Sequence, residues 1–423
     1  MSIEISYTGD QVSGTIKLDG SKSLSNRALI IRALCKEDFA INNICESDDS
    51  NILQRLLSQP SEEAYDTGHA GTCYRFMTAY LALQKGTQIL TGSARMKERP
   101  IGILVEALRS LGANIDYLEN EGYPPLKINE IDPNQVKSEV SIAGSVSSQY
   151  ISALIMIAPT LPKGLIINIT GELVSRPYLE MTLKMMSHFG IEFSFTENQI
   201  VIAHQDYIAK DILIEADWSA ASYYYSIASI LPAEITVQGL FNESWQGDSA
   251  AAELGKAFGI ETNYGDKQVT LTSNPQNRSS MFDHDFVKEP DIAQTFAIMC
   301  GATGVEGFFT GLQTLRIKET DRIDALKTEL SKVGVALYKL PPKMSKKSGK
   351  EYYGISGTVK TDATPVFETY KDHRMAMAFA PLSMLFPIRI NKPEVVSKSY
   401  SNYWEDLKSL GFEVKELSPD SES

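Results

Sequence analysis

Two kinds of helical pattern alternate along the chain, and a glycine ends one of them. The first kind is amphipathic and runs through a glycine into a stretch of period two, as expected for a helix followed by a strand. A glycine at this point can adopt the left-handed conformation that closes a helix. The pattern occurs in five segments, 99–117, 175–195, 246–264, 318–340 and 402–417, with glycines at Gly112, Gly190, Gly259, Gly334 and Gly411.

The second kind of pattern is apolar on nearly all sides, which is typical of a helix buried inside a domain. Its six copies are 23–34, 71–83, 146–158, 217–230, 291–303 and 373–384. They recur about every 70 to 80 residues, after a first interval of about 50. The alternation predicts six units of βαβ character, three in each of two domains. The first unit is predicted to be shortened, because segment 48–66 has no glycine cap and no strand pattern.

Length and charge narrow the class of protein. With 423 residues the chain is too long for one compact core, so we expect at least two domains, with a crossing between the halves near 212–217. Forty Lys and Arg residues against 53 Asp and Glu residues give a net charge of −13, which argues against nucleic acid as the main partner.

Cysteine usage and hydropathy indicate the compartment. The four cysteines are scattered and have no histidines at metal-ligand spacing, so we predict neither a disulfide framework nor a metal site. The amino terminus has no signal-peptide pattern, and Pro159 interrupts the most apolar stretch, 150–161. We therefore expect a cytoplasmic protein without a membrane segment. The basic segment 341–351 is predicted to be the solvated tip of a hairpin.

Cations gather where the buried helices are predicted to begin. Capping accounts for the Ser, Thr and Asp residues at these starts. It does not account for Lys22, Arg27 and Arg374, because a cation at a helix start opposes the helix dipole. In a chain of net negative charge, these cations indicate that an anionic ligand supplies the missing negative charge. His373 lies beside them, and its type alone fits a structural role as well as proton transfer.

Further cations lie at the predicted starts of the amphipathic helices. They are Arg99, Arg176, Lys318, Arg322 and, before the last helix, Lys398. The segment KETDR (318–322) sets carboxylates beside two of them, and a helix would put Lys318 and Arg322 on one face. Pairing within the helix would satisfy these charges without a ligand, so both interpretations stay open. The usual P-loop, dinucleotide-binding, hydrolase and zinc-protease fingerprints do not occur.

These motifs resemble those of one known family, in order and over nearly the whole chain. The family is that of the 5-enolpyruvylshikimate-3-phosphate synthases, or 3-phosphoshikimate 1-carboxyvinyltransferases. The lysine and serine motif at 22–27 differs from that of the sister UDP-N-acetylglucosamine enolpyruvyl transferases. The matching strings are GSKSLSNRA (20–28), AGT (70–72), RMKERPIG (95–102), GSVSSQY (144–150), LVSRPY (173–178), KETDR (318–322), DHRMAM (372–377) and SKSY (397–400).

The resemblance implies a fold and a reaction. The fold is the α/β (α+β) two-domain enolpyruvyl transferase fold, with six βαβαββ repeats, three per domain, around buried helices. One domain would be discontinuous, 1–19 with 216–423, the other would be 20–215, and the substrates would bind in the cleft between them. The reaction would move the enolpyruvyl group of phosphoenolpyruvate to the 5-hydroxyl of shikimate 3-phosphate, releasing phosphate through a tetrahedral intermediate. The resemblance implies no metal or organic cofactor, a monomer, and glyphosate as a competitor of phosphoenolpyruvate.

The resemblance also implies the site residues. Glu319 would work on the methylene carbon of phosphoenolpyruvate and Asp291 on the attacking hydroxyl, with Lys22 as a third catalytic residue. Shikimate 3-phosphate would be held by Lys22, Ser23, Arg27, Ser147, Ser148, Gln149, Ser175, Tyr178, Asp291 and Lys318, with the three serines 147, 148 and 175 around its phosphate. Phosphoenolpyruvate would be held by Lys22, Gly71, Arg99, Gln149, Arg322, Arg374 and Lys398.

Some positions depart from the family pattern, and two alternative functions stay open. His69 and Thr314 stand where the family usually has Asn, and Phe76 where it usually has Pro, which could tilt the helix from Gly71 and weaken glyphosate inhibition. The alternatives are an enolpyruvyl transferase with another acceptor and an inactive phospho-ligand binding protein. Two carboxylates facing anions argue against mere binding.

Overall fold

The chain folds into two compact units. The computed structural model describes residues 1–58, 64–145, 147–344 and 350–417. Unit 1 comprises Met1–Asp19 and Glu215–Ser423, and unit 2 comprises Gly20–Ile214. These bounds lie within one residue of those that the resemblance implies for the two domains.

Helices and strands alternate through both units. In the described residues the α-helices are α1 (Lys22–Leu34), α2 (Asp48–Ser58), α3 (Gly71–Leu81), α4 (Ala94–Lys97), α5 (Gly102–Leu111), α6 (Ser148–Ile157), α7 (Arg176–His188), α8 (Trp218–Ile230), α9 (Ala251–Leu254), α10 (Ala293–Thr303), α11 (Arg322–Ser331), α12 (His373–Phe379) and α13 (Tyr403–Ser409). The strands are β1 (Ser2–Ser6), β2 (Val12–Lys17), β3 (Ile41–Asn42), β4 (Tyr65–Asp66), β5 (Thr87–Thr91), β6 (Asn114–Tyr117), β7 (Leu126–Asn129), β8 (Glu139–Ala143), β9 (Leu165–Thr170), β10 (Ser194–Phe195), β11 (Gln199–Ile202), β12 (Ile212–Leu213), β13 (Ala233–Gln238), β14 (Ile260–Gly265), β15 (Gln268–Ser273), β16 (Met281–Asp285), β17 (Glu306–Thr310), β18 (Ala336–Lys339), β19 (Tyr353–Ser356), β20 (Val366–Phe367), β21 (Ile388–Asn391) and β22 (Glu413–Leu417).

The described strands form six sheets with one recurring arrangement. Unit 1 contains the sheets β20-β21-β1-β22, β14-β15-β13-β2 and β16-β17-β19-β18, and unit 2 contains β4-β5-β7-β6, β10-β11-β9-β8 and the two-stranded β12-β3. Each four-stranded sheet has one parallel pair followed by two antiparallel pairings. This arrangement is compatible with six repeated units, of which the first, with two strands, is shortened.

The register of the sheets follows from alternating apolar residues. In β13, Ile235 and Val237 are fully buried, whereas Glu234 is exposed. Val237 lies opposite Ile16 in the parallel strand β2, and Ile235 lies opposite Leu271 in the antiparallel strand β15. A shift of one residue would turn this apolar face to solvent, so burial of one face determines the register.

The six predicted buried helices are confirmed as α1, α3, α6, α8, α10 and α12. In unit 1, α8, α10 and α12 pack against one another, and α3, α6, α7 and α1 do so in unit 2. Tyr224, Phe296 and Phe379, one from each of the unit 1 helices, are buried completely. Helices that are apolar on most sides can satisfy both their sheets and one another, so each unit has its own core.

The five predicted glycine caps are also confirmed, with φ between 75° at Gly259 and 107° at Gly112. One of the amphipathic helices is not continuous. The segment before Gly259 consists of a 3₁₀ turn, the four-residue α9 and a second 3₁₀ turn. A Cβ on Gly255 would lie 2.8 Å from Cδ1 of Tyr225, so the segment needs glycine for its approach to α8, and glycine is a poor helix former.

The predicted hairpin lies in unit 1. Strands β18 and β19 pair antiparallel, with Ala336 opposite Ser356. Part of the predicted tip, 345–349, lies outside the described residues. Among the described helices, none combines the length and the apolar character needed to cross a membrane.

Candidate active site

A buried arginine is the centre of a charge cluster in unit 1. The side chain of Arg322 is 2% exposed, and three carboxylates surround its guanidinium. Nε lies 2.7 Å from Oδ2 of Asp372, Nη1 lies 3.2 Å from Oδ1 of Asp291, and Nη2 lies 2.9 Å from Oε2 of Glu319. Burial alone would lower the pKa of Arg322, but these carboxylates outweigh it and raise that pKa above its ordinary value, against a smaller opposing effect of Arg374. Arg322 is therefore a fixed positive charge.

Helix starts hold this cluster in place. The carboxylate of Asp321 caps α11 by accepting from the N–H groups of Ile323 and Asp324, which sets Arg322 at the first helical position. Asp372 caps α12 by accepting from the N–H of Arg374 at 2.9 Å. Asp372 therefore both begins one helix and binds the arginine that begins another.

Asp291 lies among three cations. It belongs to a 3₁₀ turn, Pro290–Ile292, directly before α10. Its Oδ1 lies 3.5 Å from Nζ of Lys318 as well as near Arg322, and its Oδ2 lies 3.2 Å from Nη2 of Arg374. The Asp291 side chain keeps 15% of its surface exposed, so a ligand can reach it.

One prediction about this segment is wrong. Lys318 and Glu319 precede α11, and Lys318 has extended backbone (φ −81°, ψ −150°), so Lys318 and Arg322 do not share a helix face. The helix begins later than the pattern predicts because Asp321 is a strong cap. Of the two interpretations left open for these charges, pairing within the chain accounts for Arg322, because carboxylates of the chain neutralise it. The pairing within KETDR is instead between Glu319 and Arg322.

Lys398 comes from a distant part of the chain and approaches the same cluster. It ends a 3₁₀ helix, Pro393–Lys398, and its Nζ donates to the carbonyl of Lys371 at 2.7 Å. Tyr370 and Lys371 both have left-handed backbone, with φ of 53° and 58°. Such conformations cost energy in residues with a Cβ and persist where the surroundings enforce them. This turn sets the Lys371 carbonyl beside Lys398 and carries Asp372 one residue further on.

Unit 2 contains a buried arginine of a different kind. Arg27 of α1 is 2% exposed, and its guanidinium donates to neutral oxygens. Nε donates to Oγ1 of Thr182 at 2.7 Å, Nη1 to the carbonyl of Ser23 at 2.9 Å, and Nη2 to Oγ of Ser152 at 3.2 Å and the carbonyl of Tyr178 at 3.4 Å. Burial lowers the pKa of Arg27 to about 10, which leaves it charged at neutral pH. No carboxylate in the described ranges lies within ion-pair distance of Arg27.

The start of α1 carries two more of the predicted residues. Lys22 is the first residue of the helix, and its Nζ lies 3.4 Å from Oδ2 of Asp49. Ser23 follows, and its carbonyl is one of the acceptors of Arg27. The structure therefore brings together Ser23, Arg27 and Tyr178, with Lys22 at the adjoining helix end.

Gly71 and Arg99 meet at the start of α3. A Cβ on Gly71 would lie 2.4 Å from Nη1 of Arg99 and 2.8 Å from Nη1 of Arg75. Arg75 donates from Nη1 to the carbonyl of Gly71 at 2.8 Å, and its guanidinium lies 5.4 Å from the ring centroid of Tyr150. The absence of a side chain on Gly71 leaves the space that the Arg99 guanidinium occupies.

The polar starts of α6 and α7 supply the remaining predicted residues. Ser147 caps α6 by accepting from the N–H of Gln149, so capping accounts for one of its interactions. Gln149 donates from Nε2 to Oγ1 of Thr72 at 2.9 Å, which ties α6 to α3. Ser148 is the first residue of α6. Ser175, before α7, has left-handed backbone (φ 56°) without making a side-chain cap, which marks a strained position.

Arg176 is neutralised within its own helix, and two residues of the charged clusters were not predicted. Arg176 pairs with Glu180 at 2.8 Å, so α7 itself accounts for that cation.

The residues that were not predicted are Asp372 and Arg75. An acid directly before a helix start could have indicated Asp372, and spacing of four residues from Gly71 could have indicated Arg75.

The departures from the family pattern have definite surroundings. A hydrogen bond of 2.7 Å joins Nδ1 of the His69 ring and Oγ of Ser93. Phe76 is buried, and the guanidinium of Arg27 lies 5.4 Å from its ring centroid, so this residue adds a cation–π contact to Arg27. The buried hydroxyl of Thr314 has no hydrogen-bond partner in the described part of the chain.

Comparison with known proteins defines the class as a transferase. The chain matches the family model of EPSP synthase (3-phosphoshikimate 1-carboxyvinyltransferase) over residues 6–59 and 53–407. It is 47% identical over 408 residues to the 3-phosphoshikimate 1-carboxyvinyltransferase of Bacteroides fragilis, covering 96% of this chain and 97% of that protein. It is 39% identical over 429 residues to the one of Sulfurovum sp., covering 94% and 97%.

The fold agrees with a solved structure. EPSP synthase from Acinetobacter baumannii superposes with a TM-score of 0.75 at 19% identity, covering 98% of this chain and 100% of that one. The chain belongs to the EPSP synthase family. The predicted family and the predicted α/β fold class are therefore confirmed, whereas the roles of individual residues stay predictions.

Proposed function

We propose that this chain transfers the enolpyruvyl group of phosphoenolpyruvate to the 5-hydroxyl of shikimate 3-phosphate, giving 5-enolpyruvylshikimate 3-phosphate and phosphate. The observation that carries the proposal is the unit 1 cluster, where the carboxylates of Asp291 and Glu319 lie against Lys318, Arg322 and Arg374. Both substrates are anions, and the reaction needs proton transfer at an oxygen and at a carbon. The cations of the cluster can bind the anionic substrates, and its acids can transfer the protons. Membership of the EPSP synthase family supports it.

Shikimate 3-phosphate binds chiefly to unit 2 in this proposal. Arg27 is a buried cation held by neutral oxygens, so an anionic group of the substrate gives it the negative partner that the described residues do not. The three serines at the starts of α6 and α7 surround the phosphate. The full set of ligands is Lys22, Ser23, Arg27, Ser147, Ser148, Gln149, Ser175, Tyr178, Asp291 and Lys318.

Phosphoenolpyruvate binds to arginine and lysine side chains in this proposal. Arginine forks match the carboxylate and phosphate groups in two-pronged hydrogen bonds. Arg99 beside Gly71 and Arg374 beside Asp291 supply such forks. The full set of ligands is Lys22, Gly71, Arg99, Gln149, Arg322, Arg374 and Lys398.

The proposed chemistry is addition followed by elimination. In the addition step, Asp291 accepts the proton of the 5-hydroxyl while the hydroxyl oxygen bonds to C2 of phosphoenolpyruvate. Glu319 delivers a proton to the methylene carbon, which becomes a methyl group. In the elimination step, the bond between C2 and the phosphate oxygen breaks, the leaving phosphate takes the proton held by Asp291, and Glu319 removes a methyl proton. Lys22 stabilises the negative charge of the reacting groups.

The finer features of the family enter as part of the same proposal. Units 1 and 2 are the two domains, the protein is a cytoplasmic monomer, and no metal or organic cofactor takes part. Glyphosate competes with phosphoenolpyruvate beside Gly71, because the absence of a methyl group on Gly71 lets the Arg99 guanidinium keep its place there.

A phosphate-release assay tests the proposal. We expect release only when phosphoenolpyruvate and shikimate 3-phosphate are both present, with one enolpyruvyl product per phosphate by mass spectrometry. Asp291→Asn, prepared identically, controls for contaminating phosphatases and should release none. Release that ignores shikimate 3-phosphate, or that starts only with another hydroxyl acceptor, would overturn the assignment of the acceptor. Binding of both substrates without release would indicate a binding protein.

A further inference from the structure

Asp248 is a buried acid that the proposed chemistry does not use. It lies in the 3₁₀ turn Gly247–Ala250, and it is 5% exposed. The turn takes no side-chain cap, so the carboxylate is not there to begin a helix. Burying a carboxylate is costly unless it is paired and hydrogen-bonded. A carboxylate that is buried in a charged site in spite of this cost indicates a functional role.

The carboxylate of Asp248 connects to the unit 1 cluster through one hydroxyl. Ser219 of α8 donates its only hydroxyl proton to Oδ2 of Asp248. The same oxygen of Ser219 accepts from Nη2 of Arg374 at 3.3 Å, and that nitrogen lies 3.2 Å from Oδ2 of Asp291. Arginine can only donate, and a hydroxyl has one proton. With its proton directed to Asp248, Ser219 must present a lone pair to Arg374.

The turn that carries Asp248 is itself anchored. Gln246 donates from Nε2 to Oε2 of Glu215 at 2.9 Å and to the carbonyl of Ala216 at 2.8 Å, and it accepts from the N–H of Trp218 at 3.2 Å. These bonds fasten the turn to the start of α8, on which Ser219 lies. The distance from Asp248 to Ser219 is therefore set by the backbone on both sides.

We infer that Asp248 is a positioning residue that orients the guanidinium of Arg374 through the hydroxyl of Ser219. The inference rests on the proposed function for the identity of the ligand, because Arg374 is assigned to phosphoenolpyruvate. It extends the site by two residues that no motif of the sequence indicated.

The charges around Asp248 agree with this position. Burial, followed by the nearby charge of Asp291, raises the pKa of Asp248 to about 7, whereas Arg374 lowers it. Ser219 also lowers this pKa and Asp217, at the start of α8, raises it slightly. Arg374 is thus shared between two acids, because its Nη2 faces both Asp291 and the Ser219 hydroxyl that leads to Asp248.

Steady-state kinetics of four variants test the inference. Asp248→Asn and Ser219→Ala should each raise KM for phosphoenolpyruvate roughly tenfold, the scale of one hydrogen bond to a charged group, with KM for shikimate 3-phosphate almost unchanged. If Asp248 acts through Ser219, the double variant should lose no more than Ser219→Ala alone. Ser219→Thr keeps the hydroxyl and should restore the wild-type KM.

Ser249→Ala is the matched control, because Ser249 lies in the same turn and its hydroxyl donates only to the carbonyl of Gln246 among the described residues. Additive losses in the double variant, equal changes for both substrates, or a wild-type KM in Asp248→Asn would overturn the inference. If Asp248→Asn does not fold, Ser219→Ala and Ser219→Thr still decide it. A wild-type protein without phosphate release would contradict the proposed function instead, so the two failures are distinguishable.

Discussion

Arg322 and Arg27 are both buried arginines at or near a helix start, and they are held in opposite ways. Arg322 is surrounded by the carboxylates of Asp291, Glu319 and Asp372. Arg27 is held by two hydroxyls and two carbonyls. A buried charge needs a partner, and of these two arginines only Arg322 receives carboxylates from the described part of the chain. In the proposed function, Arg322 therefore organises acids for chemistry, whereas Arg27 awaits an anionic substrate.

The largest expected effect follows from removing an acid beside Arg322. Glu319→Gln should lower kcat by about 10²–10⁴-fold, the usual contribution of a proton-transfer group, with KM little changed. The amide keeps the shape of the side chain but cannot move the proton. Arg322 retains Asp372 and Asp291, so the melting temperature should stay close to that of the wild type.

Asp321→Asn is the control for that variant. Asp321 is an acid in the same segment, and asparagine caps a helix as well as aspartate does, so kcat should be retained. A Glu319→Gln protein that turns over at the wild-type rate would remove Glu319 from the mechanism and leave it as an ion-pair partner of Arg322.

The next largest effect is on stability, where removing a partner of Arg322 should cost more than removing a partner of Arg27. Asp372→Ala strips Arg322 of its nearest carboxylate, at 2.7 Å, and should lower the free energy of unfolding by about 3–5 kcal/mol, as expected when a buried ion pair loses one partner. Thr182→Val removes a neutral acceptor of Arg27 and should cost about 1–3 kcal/mol. Urea unfolding of both variants measures the difference. Equal losses would mean that the two arginines do not differ in the way their partners suggest.

A change at Arg27 should instead affect the affinity for shikimate 3-phosphate. Arg27→Lys keeps the charge but loses the planar fork, so KM for shikimate 3-phosphate should rise by the equivalent of about 1.5–3 kcal/mol. KM for phosphoenolpyruvate should change much less. Arg32→Lys, on the same helix but paired with the exposed Asp38, should leave both values unchanged. A larger effect of Arg27→Lys on phosphoenolpyruvate would contradict the assignment of Arg27.

A smaller effect is expected at the start of α3. Gly71→Ala would place a Cβ 2.4 Å from Nη1 of Arg99, and the flexible end of Arg99 can move to relieve the contact. We expect a modest rise in KM for phosphoenolpyruvate and a stronger loss of inhibition by glyphosate. Inhibition assays at several phosphoenolpyruvate concentrations measure both. Inhibition that does not respond to phosphoenolpyruvate would place glyphosate elsewhere.

The last expected effect concerns pH. Burial and Asp291 raise the pKa of Asp248 to about 7, so the folded chain holds a proton that the unfolded chain releases near pH 4. The contribution of Asp248 to stability is therefore complete at low pH and is lost as the pH rises toward 7. The melting temperature of the wild type should fall relative to that of Asp248→Asn between about pH 5 and pH 8. Parallel curves would show that Asp248 does not titrate in this range.

Much of the fold was predictable because its signals are local. The buried helices follow from apolar runs, and Gly112 and Gly259 follow from the change of period at a helix end. The discontinuous helix before Gly259 was not predictable, because Gly255 is demanded by its contact with Tyr225, a residue thirty positions earlier.

The sequence indicated candidate residues of the site but not the connections between them. Motifs indicated Asp291, Glu319 and Arg322, but the partner Asp372 is 50 residues away from Arg322 along the chain, and no local pattern links them. Local pattern also placed Lys318 within a helix, because periodicity does not show that the cap at Asp321 starts the helix later. The chain from Asp248 through Ser219 to Arg374 joins three elements and appears only in three dimensions.

The most direct test of proton transfer to and from carbon is the reaction run in deuterium oxide. Addition delivers a solvent proton to the methylene carbon of phosphoenolpyruvate, and elimination removes one of the three methyl hydrogens. The product should therefore carry solvent deuterium in its enolpyruvyl methylene group, detected by mass spectrometry and NMR. A product formed by the wild type without deuterium at that carbon would contradict addition and elimination, and with it the role of the acids around Arg322.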